Sequence, residues 1–236
     1  MRVPGCSDVS GIVCGVRIGV VQFPGSCDER DAVYALEVCG AEPVTLWHGA
    51  ADLDGVEAVV VPGGFSFGDY LRCGAIARFS PVMGAVAAFA EAGGAVLGIC
   101  NGFQVLCEAG LLPGALTRNA NLRFVHRAQH VRVERRSAWT RAVAPGTVLA
   151  LPIKHGEGRY VHDDVAALAA AGQVLLRYCH ADGTVDHAAN PNGSLAEVAG
   201  VTNAAGNVAG LMPHPEHAVD RLLGSTDGRA LLGSVP

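Results

Sequence analysis

Lysine is almost absent from this chain of 236 residues. Lys154 is the single lysine among 17 basic residues, and 22 acidic residues bring the net charge to −5. Binding to nucleic acid without sequence preference requires clustered cations, and no basic run is present here. We therefore expect neither DNA nor RNA as a partner.

Charged residues of both signs are scarce, at 17% of the chain, whereas hydrophobic residues make up 50%. This composition excludes a disordered chain and is ample for the buried core of one domain. Uninterrupted apolar runs are also lacking, because Glu91 and the pair Gly93-Gly94 divide the longest stretch, 82–100. That stretch predicts a helix, a turn and a strand, and no membrane span.

The N-terminus has no signal-peptide pattern. Pro4, Gly5 and Asp8 follow Arg2, and Arg17 interrupts the apolar run that comes next. The eight cysteines contain no CxxC pair, so we interpret most of them as reduced, buried thiols. Both features predict a cytoplasmic protein.

In the first half of the chain, apolar runs typical of strands alternate with alanine-rich stretches typical of helices. In the second half, strand-like runs follow one another with few helices between them. This pattern predicts a single α/β domain, with a mostly parallel central sheet flanked by helices and an antiparallel extension of that sheet. We expect an irregular N-terminal extension at 1–16, the domain at 17–228 and a C-terminal tail at 229–236. The predicted strands are 17–23, 43–47, 57–61, 95–99, 124–134, 147–153, 173–178, 195–202 and 207–212, and the predicted helices are 28–38, 81–92 and 102–109.

Cys100 is the candidate nucleophile. It stands between Gly98 and Gly102, after a predicted buried strand and before a predicted helix. A nucleophile elbow has this strand-turn-helix context and needs small residues on both sides. A helix N-terminus also stabilises thiolate. Because 31 residues are glycine, the motif alone does not decide the matter.

His214 is the best candidate for the base. Pro213 and Pro215 hold its backbone extended, so that Glu216, two residues on, projects to the same side and can orient the imidazole. Taken alone, this segment fits better a loop histidine that its prolines make rigid and that lies near an acid by chance. Together with the elbow it predicts a Cys100–His214–Glu216 triad.

Acyl transfer also needs hydrogen-bond donors for the oxyanion of the tetrahedral intermediate. We assign this role to the backbone N–H groups of Asn101, which follows the nucleophile, and Gly64, which follows a predicted buried strand. An ordinary strand-to-loop turn at Gly64 is the alternative.

Motifs for metals and nucleotides are missing. His126 and His130 have helical spacing but lie in a predicted strand, and no carboxylate or cysteine completes a site around them. Neither GxxxxGK[ST] nor GxGxxG occurs. We therefore expect no bound metal, ATP or dinucleotide on this chain.

Six segments stand out together: QFPGS at 22–26, GGFSFGDYLRCGAIA at 63–77, GICNGFQVLCEAGLLPGAL at 98–116, HGEGRY at 155–160, NPNGS at 190–194 and GNVAGLMPHPE at 206–216. They closely resemble the glutaminase subunit of phosphoribosylformylglycinamidine synthase, a triad-type class I glutamine amidotransferase of purine biosynthesis. The resemblance covers about residues 17–228 and implies a flavodoxin-like fold. GGFSFGDYLRCG and HGEGRY are specific to this branch, whereas all class I amidotransferases share the elbow and the triad.

The resemblance implies a chemistry for each member of the triad. Cys100 would attack the side-chain amide of L-glutamine and form a γ-glutamyl thioester, with release of ammonia. His214 would move the proton and Glu216 would orient the imidazole. The ammonia would pass to a large synthase subunit, which binds ATP and magnesium and makes formylglycinamidine ribonucleotide from formylglycinamide ribonucleotide. A small accessory subunit would assist assembly.

The same resemblance implies binding residues. Gln104 would contact the substrate, and the backbone around Arg123 and Phe124 would flank it. His155, Glu157 and Arg159 would line the mouth of the site or the subunit interface, although a structural polar loop explains them equally well.

Two residues depart from the family pattern. Lys154 stands where a small residue is usual before HGEGRY, and His217 stands where arginine is usual after PHPE. Neither departure alters the triad assignment, whereas both bear on the details of partner docking. Two alternative functions remain: a stand-alone cysteine hydrolase, such as a γ-glutamyl hydrolase or peptidase, and a non-catalytic assembly subunit.

Overall fold

A central sheet of nine strands organises the computed structural model, which describes residues 15–234. Most of the predicted N-terminal extension therefore lies outside the described residues. The strands are β1 (Arg17–Gln22), β2 (Glu42–Trp47), β3 (Ala58–Val61), β4 (Ala95–Ile99), β5 (Ala115–Thr117), β6 (Val125–Val133), β7 (Val148–His155), β8 (Arg159–Val161), β9 (Val174–Cys179), β10 (Val198–Thr202) and β11 (Val208–Leu211). The helices are α1 (Glu29–Val38), α2 (Pro81–Glu91), α3 (Asn101–Glu108), α4 (Val165–Ala170) and α5 (Arg229–Leu232).

The strand order is β2-β1-β3-β4-β11-β10-β9-β6-β7. The first five strands pair in parallel, in the 2-1-3-4-5 order of flavodoxin-like sheets. Strands β3 and β4 are buried at every residue, as expected for parallel strands covered on both faces.

The other four strands extend the sheet in antiparallel fashion. Strand β7 alternates strictly between buried and half-buried residues, because one of its faces packs on the core and the other faces outward. The predicted α/β class, the parallel sheet and its antiparallel extension in the second half are all confirmed. His126 and His130 lie in β6, as predicted.

The stretch 82–100 forms α2, a turn and β4, again as predicted. Gly40 and Gly93 follow α1 and α2 with φ angles of 86° and 93° and end these helices in the left-handed conformation. None of the helices in residues 15–234 combines the length and the apolar character that a bilayer span requires.

The C-terminal segment differs from the predicted tail. Arg229–Leu232 form α5, and the side chains of Leu231 and Leu232 are buried in the main core. Strands β5 and β8, which pair with each other in a small separate sheet, were not predicted either. Each has only three residues, too few to show an alternating pattern.

The parallel strands direct the chain toward one edge of the sheet. The segments that follow β1, β3, β4 and β11 contain Asp28, Gly64, Cys100 and His214, respectively. In open α/β sheets, ligands bind in the crevice outside the carboxyl ends of the strands. The fold therefore brings four distant segments of the sequence to one crevice.

Candidate active site

Cys100 occupies a strained turn between β4 and α3, with φ 49° and ψ −103°. A non-glycine residue in this region is rare and indicates a conformation that the surroundings impose. A side chain at Gly102 would overlap the carbonyl oxygen of Val61, and one at Gly98 would come within 2.7 Å of the Gly102 backbone. The glycines are thus required by close packing of α3 on β3 and β4.

His214 and Glu216 meet as the sequence predicts. His214 is completely buried, and its Nδ1 lies 2.5 Å from Glu216 Oε1. The backbone N–H of His214 donates to the Pro152 carbonyl at 2.8 Å, which anchors the segment on β7. The Nε2 atom of His214 is buried and has no hydrogen-bond partner within residues 15–234, so it is available to a nucleophile or a substrate.

Electrostatics favour the protonated form of His214. Burial opposes the charge, but the neighbouring Glu216 carboxylate and the Cys100 sulfur outweigh it and raise the pKa of His214. The thiol of Cys100 also approaches the carbonyl oxygen of Lys154, at 3.7 Å.

Of the two predicted oxyanion donors, Gly64 lines the same cavity as Cys100, and Asn101 directly follows Cys100 at the start of α3. Gly64 has φ 146°, and its N–H has no hydrogen-bond partner within the described residues. The N–H of Asn101 belongs to the first turn of α3, where helical acceptors are missing. The Asn101 side chain accepts from the N–H of Ser66 at 3.1 Å and donates to Asp69 at 3.1 Å, and so holds the loop after Gly64 against the elbow.

A cavity of about 310 Å³ opens beside Cys100 and His214. Of the other predicted residues, Gly64, Gln104, Phe124, His155 and Glu157 line it. Arg123 and Arg159 do not belong to its lining. The side chain of Arg159 instead donates to the Gly193 carbonyl at 3.1 Å.

Gln104 and Asn119 brace the walls of this cavity. The Gln104 amide donates to the Glu157 carbonyl at 2.5 Å and accepts from Asn101 at 2.9 Å. Asn119, fully buried, donates to the carbonyls of Arg123 and His155, each at 2.8 Å. These bonds tie the elbow helix and the loop before β6 to the HGEGRY segment.

His155 is held neutral. Burial, with a smaller contribution from the His214 imidazole, lowers the pKa of His155 to about 4. Its Nδ1 lies 3.1 Å from Asn119 Oδ1, which also accepts from the N–H of Gly158. Because a carbonyl oxygen only accepts, Nδ1 carries the proton and Nε2 is left as an acceptor.

One wall of the cavity is acidic. The Cys73 thiol lies 3.1 Å from an oxygen of Asp69 and 3.3 Å from an oxygen of Glu157. Burial and these two carboxylates raise the pKa of Cys73, so the thiol stays protonated and its single S–H lies within reach of either carboxylate. This wall therefore presents negative charge to a ligand.

The opposite wall contains an ion pair. Lys154 Nζ lies 2.5 Å from Asp28 Oδ1, and both residues line the cavity. The second oxygen of Asp28 is 3.7 Å from His214 Nδ1, and His217 Nε2 is 3.4 Å from Oδ1. Burial opposes the charge of Asp28, but His217, His214 and Lys154 together hold the pKa of its carboxyl far below the usual range.

Comparison with known proteins assigns the family. Residues 15–229 match the model of the CobB/CobQ-like glutamine amidotransferase domain. Phosphoribosylformylglycinamidine synthase subunit PurQ of Frankia casuarinae is 57% identical over 223 residues, which cover 93% of this chain and 92% of the relative. The subunit PurQ of Rubrobacter xylanophilus is 58% identical over 223 residues, 93% of this chain and 97% of the relative. The chain belongs to the PurQ family.

A solved structure agrees with this assignment. A chain in the structure of PurLQS from Thermotoga maritima superposes with a TM-score of 0.84 at 42% identity, over 94% of this PurQ-family chain and 97% of the other. The resemblance inferred from the six sequence segments is therefore confirmed for the family and the fold.

Lys154 and His217, the two departures from the PurQ pattern, both contact one oxygen of Asp28, whose other oxygen faces His214. Their bearing on partner docking stays a prediction. Asp28 itself was missed, because no local motif marks a carboxylate that reaches the site from the segment after β1.

Asp28, His214, Glu216 and His217 place one potential metal-ligating atom each within 4.8 Å of one another. The cluster is nevertheless poorly suited to a cation, because Lys154 already pairs with Asp28 and His214 bonds to Glu216. A divalent ion would have to displace or oppose the ammonium group. The absence of a metal stays a prediction.

Proposed function

We propose that this PurQ-family chain is the glutaminase subunit of a phosphoribosylformylglycinamidine synthase, with Cys100, His214 and Glu216 as its catalytic residues. The observation that supports these roles is the strained Cys100 beside a fully buried His214–Glu216 pair at one cavity. The chain hydrolyses L-glutamine to glutamate and ammonia and supplies the ammonia for purine biosynthesis.

The first half of the reaction forms the thioester. The Cys100 thiolate attacks the side-chain carbonyl carbon of glutamine, and the carbonyl oxygen becomes an oxyanion that accepts from the N–H groups of Gly64 and Asn101. The His214 imidazolium then gives its Nε2 proton to the amide nitrogen. The C–N bond breaks, ammonia leaves, and the γ-glutamyl group stays on sulfur.

The second half releases glutamate. Neutral His214 removes a proton from water, the hydroxide attacks the thioester carbonyl, and the same two N–H groups bind the second oxyanion. Collapse of this intermediate expels the Cys100 thiolate, and His214 is again the imidazolium. Glu216 keeps the Nδ1 proton in place throughout and stabilises the positive charge.

The acidic wall of the cavity fits the α-ammonium group of glutamine. We assign the α-ammonium group to the acidic wall of Asp69 and Glu157, which Cys73 bridges. Gln104 orders this wall through its bond to the Glu157 carbonyl, and Phe124 covers the substrate from the solvent side. A glutamine held by its α-ammonium group can extend its side-chain amide toward Cys100.

The partner is a large synthase subunit, with a small accessory subunit. Large apolar side chains surround the cavity: Phe65 and Phe124 line it, and Leu71 and Leu122 lie in the same two loops with 92% and 78% of their surface exposed. We define these four residues as the apolar rim and propose that it packs against the synthase subunit. A sealed rim keeps ammonia from escaping to solvent.

The proposal also covers the cofactors and the cellular location of the chain, which we place in the cytoplasm. This chain binds no cofactor, and ATP and magnesium bind to the synthase subunit, in line with the missing nucleotide motifs. The six cysteines within residues 15–234 are free thiols, which suits the reducing cytoplasm. Fractionation of cells with an antibody to this chain tests the location.

The deciding experiment separates ammonia production from ammonia use. A complex reconstituted with Cys100→Ala should make no amidine product from glutamine. It should make the product from a high concentration of ammonium at alkaline pH, where a larger fraction of the ammonium is deprotonated to NH₃. The wild-type complex should use both nitrogen sources. If the assembled Cys100→Ala complex still uses glutamine, or cannot use ammonium, the proposed division of labour is wrong.

A further inference from the structure

We propose that Asp28, held in its ionised form by Lys154, is a positioning residue for His214, a second carboxylate that stabilises the imidazolium beside Glu216. The inference rests on the proposed catalytic role of His214. It assigns a task to Asp28, Lys154 and His217, none of which belongs to the triad.

The geometry of Asp28 supports this role. Its side chain is 4% exposed, and its two oxygens face different partners: Oδ2 lies 3.7 Å from His214 Nδ1, whereas Oδ1 lies 2.5 Å from Lys154 Nζ. Gly63 makes this approach possible, because a side chain at that position would overlap Asp28 Oδ2 and come within 2.9 Å of His214 Cε1. The site thus brings two buried carboxylates to one imidazole nitrogen.

Charge balance explains why the lysine is needed. Asp28 and Glu216 together contribute two negative charges around His214, and two carboxylates sharing a site favour protonation of one of them. Lys154 reduces the local charge to −1, which the single positive charge of the imidazolium then balances. Without the ammonium group, Asp28 or Glu216 would take up a proton and stabilise the imidazolium less.

His217 is placed to take over from Lys154. Its Nε2 lies 3.4 Å from Asp28 Oδ1 and 3.7 Å from Glu216 Oε1, on the segment that follows His214. The Nε2 atom is buried and makes no hydrogen bond within the described residues. A guanidinium group at position 217 would therefore reach the oxygen that Lys154 now binds and supply the same permanent charge.

The test measures glutamate release from glutamine by the complex with the synthase subunit and its substrates. Asp28→Asn and Lys154→Met should each lower kcat at least tenfold, with KM for glutamine changed less than threefold, since Asp28 acts through His214. The double variant Lys154→Met/His217→Arg should recover to within threefold of wild-type kcat. The rate at which a diazo-ketone glutamine analogue labels Cys100 should fall in the two single variants and recover in the double variant.

Asp54→Asn is the matched control. Asp54 pairs with Arg17 at 3.0 Å on the surface, where the parallel strands begin, so its substitution should leave kcat within twofold of wild type. Thermal unfolding of every variant identifies those that fold. If Asp28→Asn does not fold, the comparison of Lys154→Met with the double variant decides the question.

Two results would overturn the proposal: a folded Asp28→Asn or Lys154→Met complex with at least half of the wild-type kcat, or a folded double variant no better than Lys154→Met alone. Cys100→Ala distinguishes this failure from that of the proposed function. If the Cys100→Ala complex still hydrolyses glutamine, the proposed triad is wrong. If the Cys100→Ala complex is inactive while the Asp28→Asn complex is fully active, only the proposed role of Asp28 is wrong.

Discussion

The histidines of this site show how burial and hydrogen-bond partners set opposite charge states within one cavity. His214 has Glu216 at 2.5 Å and is favoured as the cation. His155, also buried, has only the amide oxygen of Asn119 at Nδ1, and its pKa is lowered to about 4. A carboxylate partner favours the imidazolium, whereas an amide partner does not compensate its loss of solvation.

The lowered pKa of His155 predicts a pH-dependent stability. The folded state binds this proton only near pH 4, whereas the unfolded chain binds it near pH 6.5, so the contribution is complete above about 6.5 and is lost as the pH falls toward 4. Between pH 7.5 and 5.0 the loss amounts to roughly 2 kcal/mol. The free energy of unfolding of His155→Gln should fall by roughly 2 kcal/mol less than that of the wild type between these two pH values. Urea unfolding of both proteins at pH 7.5 and 5.0 measures the difference. Equal losses in the two proteins would contradict the prediction.

At the residue scale, the sequence predicted those parts of the site whose residues are close together in the chain. The elbow around Cys100 and the pair His214–Glu216 are each contained in five residues or fewer, so spacing alone brought them together. Asp28 and Lys154 are 126 positions apart, and only the sheet unites them. No spacing rule predicts such a pair, which is why the sequence did not connect Lys154 with Asp28.

At the element scale, strand and helix patterns predicted the sheet because its buried strands are continuous apolar runs. The antiparallel strands were predicted from apolar runs that follow one another with few helices between them. Helix α5 was missed because it has four residues, and its burial of Leu231 and Leu232 depends on α1 and on the turn after His214. Short elements acquire their structure from neighbours that the local sequence does not contain.

Two helical glycines provide a test of how tightly the elbow is packed. Gly102→Ala should destabilise the protein by about 3 kcal/mol or more, because the new methyl group overlaps the Val61 carbonyl of β3. The matched change Gly84→Ala in α2 meets nothing within 4 Å and should stabilise by about 0.5–1 kcal/mol. Thermal unfolding of both variants measures the difference. A Gly102→Ala protein with wild-type stability would show that α3 can move away from β3 without cost.

At the scale of the whole molecule, backbone strain accumulates around the cavity. Phe67, Asp69, Leu71 and Leu122 all have positive φ angles, between 53° and 73°, in the two loops that carry the apolar rim. Each such residue costs of order 1 kcal/mol or more, and such strain is typical of functional sites. The loops hold large apolar side chains in solvent at the mouth of the site, an arrangement that a partner surface would stabilise.

The apolar rim therefore predicts where the synthase subunit binds. Leu71→Asp and Leu122→Asp should each raise the Kd for the synthase subunit at least tenfold, equivalent to about 1.4 kcal/mol, since each places a charge in an apolar contact. Leu222→Asp is the matched control, because Leu222 is 94% exposed but does not border the cavity. Titration calorimetry with the synthase subunit measures all three constants, and labelling of Cys100 by the diazo-ketone analogue confirms that the free variants keep an intact site. If Leu222→Asp weakens the complex as much as the rim variants do, or if the rim variants bind normally, the synthase subunit contacts a different face, and the ammonia must leave the cavity by a route that the rim does not enclose.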